Sequence, residues 1–288
     1  MCKDTIGGTT DANRETLIFL HVPKTAGVSM SKAIVRHFSE DEIYHVRYPE
    51  HKLGPVFSKH HGTLQHFLHF PEAQRGRYRL LLGHMHFGLH KYLPGPSAYV
   101  TVLRDPVERL LSHFGQFRRT VENNELPGAV PVSSLQEFCR AEWKVADNHQ
   151  TRHLCGWNFD DHSRRENLER AKENLREHFR VVGTMERFDQ TVQVLHRACG
   201  WPDLVHFRLN VGEGRLQREG VDSQFLAHLE ALNSLDRELH ALANSLLDTA
   251  IDKYGKVRVP TAPLRQAPRR PFFLRRAWHK VLRRCSTD

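Results

Sequence analysis

The sequence predicts an α/β fold in which a central parallel sheet is flanked by helices. Short apolar runs rich in strand-forming residues alternate along the chain with longer segments of helical periodicity. This alternation is typical of parallel sheets, because each return to a parallel strand needs a long crossover connection. The 288 residues, 39% of them hydrophobic, can bury one large core without disulfides or metal ions.

The strands and helices can be placed in chain order from these patterns. Pro23 ends the first apolar run, and Pro106 lies in the first turn of a helix, where its missing N–H is tolerated. The segment 40–77 is rich in His, Pro and Gly and receives no assignment, whereas 121–132 is a predicted loop. The predicted strands are residues 16–22, 78–83, 98–103 and 179–184, and the predicted helices are 27–38, 106–120, 164–178, 187–199, 222–231 and 234–253, with short helices within 133–154.

Positive charge is concentrated at the C-terminal end of the sequence. The formal net charge is +9, and residues 260–288 hold eight Lys or Arg against one Asp, a net +7. A nucleic-acid-binding protein would carry such charge over a folded face, so no nucleic acid is expected as a partner. These compositions divide the chain into a flexible leader, 1–15, one domain, 16–257, and a basic linker and tail, 258–288.

Within the tail, residues 272–285 have the pattern of a basic amphipathic helix. Three interpretations of this helix stay open: binding to an anionic membrane surface, binding to an anionic glycan, and docking on the domain with the basic face in water. No run of 18 apolar residues and no secretory signal occur in the sequence. We therefore expect a cytoplasmic protein, or one held peripherally at a membrane.

The cysteines and tryptophans are interpreted as structural. No C-x-x-C pair occurs among the five cysteines, which disfavours a zinc ribbon or a thioredoxin-type site. Reduced thiols are the simplest interpretation, and a Cys139–Cys155 bridge in an oxidising compartment is the alternative. Trp157 and Trp201 are expected in the core, as most tryptophans are.

The segment His21-Val-Pro-Lys-Thr-Ala-Gly-Val-Ser29 lies between the first predicted strand and the first predicted helix. A helix N-terminus offers free N–H groups and a partial positive charge, which suit a phosphate. Lys24 adds a full charge, Thr25 and Ser29 add hydroxyls, and Gly27 allows close approach of the backbone. The lysine precedes the glycine, however, so the segment does not follow the nucleotide P-loop pattern.

A second candidate for anion binding follows the third predicted strand. Arg104 comes directly after that strand, and Ser112 lies eight residues on, about two turns into the next helix. Arginine offers a planar fork of donors for phosphate oxygens. Both side chains can reach one phosphate if the strand end and the helix fold back on it.

Together these segments resemble sulfotransferases that use 3′-phosphoadenosine 5′-phosphosulfate (PAPS), in particular the carbohydrate branch typified by heparan and chondroitin sulfotransferases. The 5′-phosphosulfate loop of that family is similar to [HR]-x-x-K-T-G-G-T-[ST], and its 3′-phosphate motif is similar to L-R-D-P-x-x-R-x-x-S. Ala26 stands here in place of a glycine and Val28 in place of a threonine. Weaker matches are Gly83-His84, Asp147-Asn-His-Gln-Thr-Arg-His-Leu154, Met185-Glu-Arg-Phe-Asp-Gln-Thr-Val192 and Gly200-Trp201.

The resemblance covers about residues 16–254 and implies a P-loop-like three-layer fold. It implies sulfuryl transfer from PAPS to a hydroxyl, most simply that of a carbohydrate or glycan, without a metal ion. A histidine suits the role of general base near neutral pH. The resemblance points to His84 for that role, with His86 as an alternative base or substrate contact.

The remaining site residues are assigned by the same resemblance. Lys24 is expected both to bind the donor and to stabilise the leaving phosphate. The expected donor-binding residues are Lys24, Thr25, Ala26, Gly27, Val28, Ser29, Arg104 and Ser112. The expected substrate-positioning residues are Asn148, Gln150 and Arg152, for which helix capping is the alternative.

Three other functions stay open at this point. His84 and His86 with His90 have the residue type, though not a complete ligand set, for a zinc ion. A nucleotide-dependent phosphotransferase of related fold would need a P-loop and usually Mg²⁺. A non-enzymatic binder of anionic glycan or membrane would explain the tail but not the combination of Lys24, Arg104 and Ser112.

Overall fold

The computed structural model describes residues 15–47, 56–123, 125, 132–202 and 216–255. Its centre is a six-stranded sheet in which all pairings are parallel, with the order β3-β2-β4-β1-β5-β6. The strands are β1 (Thr16–Leu20), β2 (Ile43–Val46), β3 (His61–Gly62), β4 (Leu80–Gly83), β5 (Ser97–Leu103) and β6 (Phe179–Thr184).

Helices connect the strands and extend the domain beyond them. They are α1 (Gly27–Val35), α2 (Leu64–Leu68), α3 (Glu72–Arg75), α4 (Pro106–Glu122), α5 (Leu135–Ala141), α6 (Trp143–Ala146), α7 (His149–Leu154), α8 (Arg164–Glu177), α9 (Phe188–Ala198), α10 (Ser223–Leu232) and α11 (Ser234–Tyr254). Short 3-10 helices cover Glu40–Glu42, Leu89–Tyr92, Phe159–Asp161 and Arg218–Gly220. The predicted α/β fold is confirmed, and the four predicted strands correspond to β1, β4, β5 and β6.

The sheet is buried on both faces, which makes the architecture three-layered. Ile18 and Leu20 of β1 enter a core shared with α2, α7 and α8, whereas Leu17 and Phe19 enter a second core shared with α1 and α9. All four side chains are at most 5% exposed. Continuous apolar strands of this kind are expected where helices cover both faces of a parallel sheet.

The chain order of the strands locates a crevice at one end of the sheet. The connection that leaves β1 runs toward the β3 edge, whereas the connection that leaves its neighbour β5 runs toward the β6 edge. Ligands in open parallel sheets bind where adjacent connections separate in this way, at the carboxyl ends of the strands. Both sequence motifs lie at this crevice, since 21–29 follows β1 and 104–112 follows β5.

Some expectations concern residues outside the described part of the chain. The amphipathic pattern 272–285 and nearly all of the leader 1–15 lie there. Within the described ranges, no helix is both long and apolar enough to span a bilayer. Cys139 and Cys155 are free thiols in the structure, so the alternative of a bridge between them is wrong. Burial raises the pKa of both thiols to about 11, which makes them unreactive near neutral pH.

Candidate functional site

The loop between β1 and α1 has a compact conformation that its sequence explains. Lys24 and Ala26 adopt positive φ angles of 74° and 66°, and Ala26 is therefore strained by about 1 kcal/mol relative to a glycine. The buried Thr25 hydroxyl donates to the Val22 carbonyl at 2.8 Å and holds the turn. A Cβ atom at Gly27 would lie 1.8 Å from the His21 ring, so only glycine fits there.

The N-terminus of α1 is open to an anion, whereas that of α4 is not. No side chain caps α1 at Ala26. By contrast, the Asp105 carboxylate accepts the Glu108 N–H at the start of α4, at 2.9 Å. Ser29 N–H donates to the Ala26 carbonyl at 3.0 Å, so the helix dipole and the N–H groups of Gly27 and Val28 are what the first turn of α1 offers a bound group.

The structure brings the two sequence motifs together at this crevice. Arg104 Nη1 donates to the Lys24 carbonyl at 3.2 Å, and Lys24 Nζ donates to Gln116 Oε1 of α4 at 2.7 Å. Ser112 is half-buried one helical turn before Gln116, so both lie on the α4 face toward the loop. Ser29 is 9% exposed in the first turn of α1. Two cationic side chains thus meet at this crevice, and Ser29 and Ser112 lie on the two helices that border it.

Two side chains from distant segments fix the turn that carries Arg104. Gln150 Oε1 accepts the Arg104 N–H at 3.0 Å, and Gln150 Nε2 donates to the Arg104 carbonyl at 2.8 Å. Glu186 Oε1 accepts the Asp105 N–H at 3.0 Å. Gln150 is fully buried, so it acts on the site by holding the Arg104 backbone.

Asn148 and Asp236 cap each other's helices. Asn148 Oδ1 accepts the N–H groups of Leu235 and Asp236 at the start of α11, at 3.0 and 3.1 Å. Asp236 in turn accepts the N–H groups of Gln150 and Thr151 at the start of α7, at 3.0 and 2.8 Å. This reciprocal arrangement satisfies donors that both helices would otherwise leave unpaired.

Arg152 is held inside the protein by charge and aromatic contacts. Its guanidinium pairs with Asp147 and Asp160, both at 3.1 Å, and lies 3.9 Å from the centre of the Phe159 ring. Asn148, Gln150 and Arg152 are therefore 7% exposed or less and engaged by protein groups. Their expected contribution to substrate positioning stays a prediction. The contacts favour an indirect contribution, in which these side chains hold the backbone that carries the site.

His84 follows β4 and lies beside the β1–α1 loop. Its Nδ1 is 3.1 Å from the His21 carbonyl oxygen, and its ring stacks on the His21 ring with centroids 4.3 Å apart. A carbonyl oxygen only accepts, so Nδ1 carries the proton of that bond. In the neutral ring Nε2 then has a lone pair, which is the form a general base requires.

The other histidines of the proposed metal set face different partners. His86 Nδ1 donates to the Arg152 carbonyl at 2.9 Å, whereas His90 Nδ1 is 3.1 Å from the Tyr99 hydroxyl. Within the described part of the chain, no three His, Cys, Asp or Glu side chains form a group that could hold a metal ion. The three side chains thus do not converge on one point.

Several histidines in and around the site are buried or half-buried, and their surroundings favour the neutral form. Burial lowers the pKa of His45 to about 4, and it lowers the pKa values of His21, His149 and His153 well below the ordinary 6.5. Neighbouring positive groups add a smaller effect in the same direction. Between pH 6.5 and 4 the unfolded chain therefore binds more protons than the folded protein.

Acidification is consequently expected to destabilise the fold. The contribution of these histidines is complete above pH 6.5 and is lost as the pH falls toward 4, by about 3 kcal/mol for His45 alone. Urea unfolding measured from pH 7.5 to 4.5 checks this. His45→Gln should flatten the acid limb of the stability curve, whereas the same change at the exposed His69 is the control. An equally steep limb in His45→Gln would contradict the assignment.

Trp157 does not lie in the core, so that prediction is wrong. Half of its surface (50%) is exposed, because Gly156, with a φ of 109° that a glycine readily adopts, turns the chain outward after α7. Trp201 is expected in the core, and it is partly buried there: it packs against the core shared with α1 and α9, and it stacks on His37 at 4.2 Å. Sequence periodicity gave no signal for the exposure of Trp157, because its loop lacks any repeating pattern.

Comparisons with known proteins identify two groups of similar sequences. A sequence model of the galactose-3-O-sulfotransferase family matches residues 6–288. The chain is 27% identical over 295 residues to galactose-3-O-sulfotransferase 3 of Bos taurus, covering 95% of this chain and 64% of the relative. It is 26% identical over 222 residues to galactose-3-O-sulfotransferase 2 of Mus musculus, covering 68% and 52%.

A second group of relatives is similar over a shorter stretch. Heparan-sulfate 6-O-sulfotransferase 1 of Cricetulus griseus is 29% identical over 182 residues, which cover 53% of this chain and 45% of that protein. The chain spans less than two thirds of the length of each of these relatives, 64% in the bovine case.

Proposed function

The chain belongs to the galactose-3-O-sulfotransferase family, and from this premise we propose that it transfers a sulfuryl group from PAPS to a carbohydrate hydroxyl. The 3-hydroxyl of a galactose unit is the first acceptor to test, because the relatives named for galactose match over most of this chain. The observation that carries the proposal is the meeting of the Lys24 loop and the Arg104 turn at the crevice between β1 and β5.

The residues at this crevice fit the two anionic ends of the donor. The uncapped N-terminus of α1, with Lys24 and Ser29, suits the 5′-phosphosulfate. Arg104 and Ser112 suit the 3′-phosphate, because a guanidinium fork and a hydroxyl can share its oxygens. Val28 lacks the hydroxyl that a threonine would add, a loss of about 1 kcal/mol of donor binding.

The chemistry requires positioning, charge stabilisation and removal of one proton. PAPS supplies the sulfuryl group, and its 5′-phosphate leaves with the negative charge. Lys24 would stabilise that charge, since electrostatic stabilisation in a preorganised site is a large part of catalysis. His84 Nε2 would take the proton from the acceptor hydroxyl, while the bond from Nδ1 to His21 fixes the ring.

Calorimetric titration with 3′-phosphoadenosine 5′-phosphate (PAP) tests the donor half of the proposal. PAP is expected to bind without Mg²⁺ and more tightly than ADP. Arg104→Ala should weaken PAP binding by about ten- to a hundredfold and bring the two affinities together, because a charge-assisted contact to the 3′-phosphate is lost.

The matched control is Arg118→Ala, which removes an exposed arginine of α4, the helix that follows Arg104, and should leave PAP binding unchanged. Unaltered preference for PAP over ADP in Arg104→Ala would contradict the assignment of the 3′-phosphate. Binding of ADP that needs Mg²⁺ and ignores the 3′-phosphate would instead favour a phosphotransferase.

A further inference from the structure

Trp157 is an exposed aromatic side chain beside the proposed transfer site. Large apolar side chains with this much exposure are few among the described residues, and they include Trp143 and Tyr92 as well as Trp157. An indole left half in water loses the stabilisation that burial would give it, and stacking against a flat apolar surface would recover part of that stabilisation.

His84 and His86 directly follow β4, and His86 is in contact with Trp157. Met85 is fully buried, whereas His84 and His86 on either side of it are only partly buried, so both histidines keep some solvent-exposed surface. The His86 ring lies 5.1 Å from the Trp157 ring and stacks on His153 at 4.7 Å. Only Met85 separates His84 from His86, so the His86–Trp157 contact brings the indole close to the segment that carries His84.

His86 presents a polar atom next to the indole. Its Nδ1 donates to the Arg152 carbonyl, so in the neutral ring its Nε2 is an acceptor. Burial lowers the pKa of His86, which keeps the ring neutral. An exposed apolar face beside a fixed hydrogen-bond acceptor matches a pyranose ring, which has C–H groups on its faces and hydroxyls on its edge.

We propose that Trp157 is the stacking platform for a sugar unit of the acceptor, next to the unit whose hydroxyl lies at His84. This inference rests on the proposed function and adds a subsite to it. His86 would accept a hydrogen bond from a hydroxyl of the acceptor between the two positions. The indole thereby selects a glycan over a simple alcohol, because a lone alcohol reaching His84 leaves Trp157 uncovered.

The experiment is calorimetric titration of lactose, a disaccharide with a terminal galactose, into the protein saturated with PAP. Trp157→Ala is expected to weaken lactose binding by about ten- to a hundredfold, because central tryptophans contribute much of the affinity at such surfaces. Trp157→Phe should recover much of that loss, since it keeps an aromatic face. Binding of PAP should be unchanged in both variants.

Tyr92→Ala is the matched control. Tyr92 is 46% exposed, and its carbonyl accepts from Arg75 before the start of β4, so it lies at the opposite end of the sheet. This variant should bind lactose as the unaltered protein does. The inference is overturned if Trp157→Ala binds lactose as tightly as the unaltered protein does. It is also overturned if the unaltered protein binds PAP but not lactose; in both cases the proposed donor site stands. Failure to bind PAP would instead overturn the proposed function.

Discussion

Replacing His84 with alanine is expected to lower the rate of sulfuryl transfer by about a hundred- to ten-thousandfold, the usual contribution of a positioned general base. The expectation follows from the proposed function and from the ring geometry, because the His21 carbonyl holds the proton on Nδ1 and leaves Nε2 as the basic atom. PAP affinity should not change, since Lys24 and Arg104 are assigned to donor binding. Turnover with PAPS and lactose checks the expected loss of rate, and calorimetric titration with PAP checks that donor affinity is unchanged.

Two further variants separate proton removal from support of the loop. His84→Gln can still donate a hydrogen bond to the His21 carbonyl but has no basic nitrogen, so it should be as inactive as His84→Ala. His86→Ala should keep the rate at saturating acceptor and raise only the acceptor KM. Full turnover in His84→Ala combined with its loss in His86→Ala would move the base to His86.

The two candidate donor-binding segments could be located from the sequence because each of them is continuous. A strand of five buried residues is followed by the loop and by α1 within twenty residues, and all three leave local signals. Arg104 and Ser112 are similarly joined by one strand end and one helix. The convergence of the two segments then follows from the rule that ligands bind at the carboxyl ends of parallel strands.

The features that escaped prediction depend on contacts between distant residues. β2 and β3 have four and two residues, too few for a periodic pattern, and they are strands because β4 pairs with β2 and β2 with β3. The side chain of Gln150 meets the backbone of Arg104 across 46 positions of sequence. Trp157 has a solvent-facing position that only the turn at Gly156 explains.

Asn148→Ala is expected to destabilise the fold by about 4 kcal/mol. The variant leaves the N–H groups of Leu235 and Asp236 and the Leu232 carbonyl without their buried partner, and each loss costs about 1–3 kcal/mol. Alanine also tolerates the left-handed backbone at this position, with a φ of 46°, less well than asparagine. Because domains are stable by only about 5–15 kcal/mol, urea unfolding should show the effect clearly.

This variant also distinguishes a scaffold residue from one that contacts substrate. If Asn148 acts by capping α11, Asn148→Ala should lose stability while the protein that remains folded at low temperature keeps the acceptor KM. Asn148→Gly should be the less destabilised of the two, because glycine removes the backbone strain but not the loss of the cap. Asn158→Ala, at an exposed asparagine ten residues away, should change neither quantity. Normal stability with a raised acceptor KM in Asn148→Ala would show instead that Asn148 positions substrate, and the reciprocal caps between α7 and α11 would then contribute little to the fold.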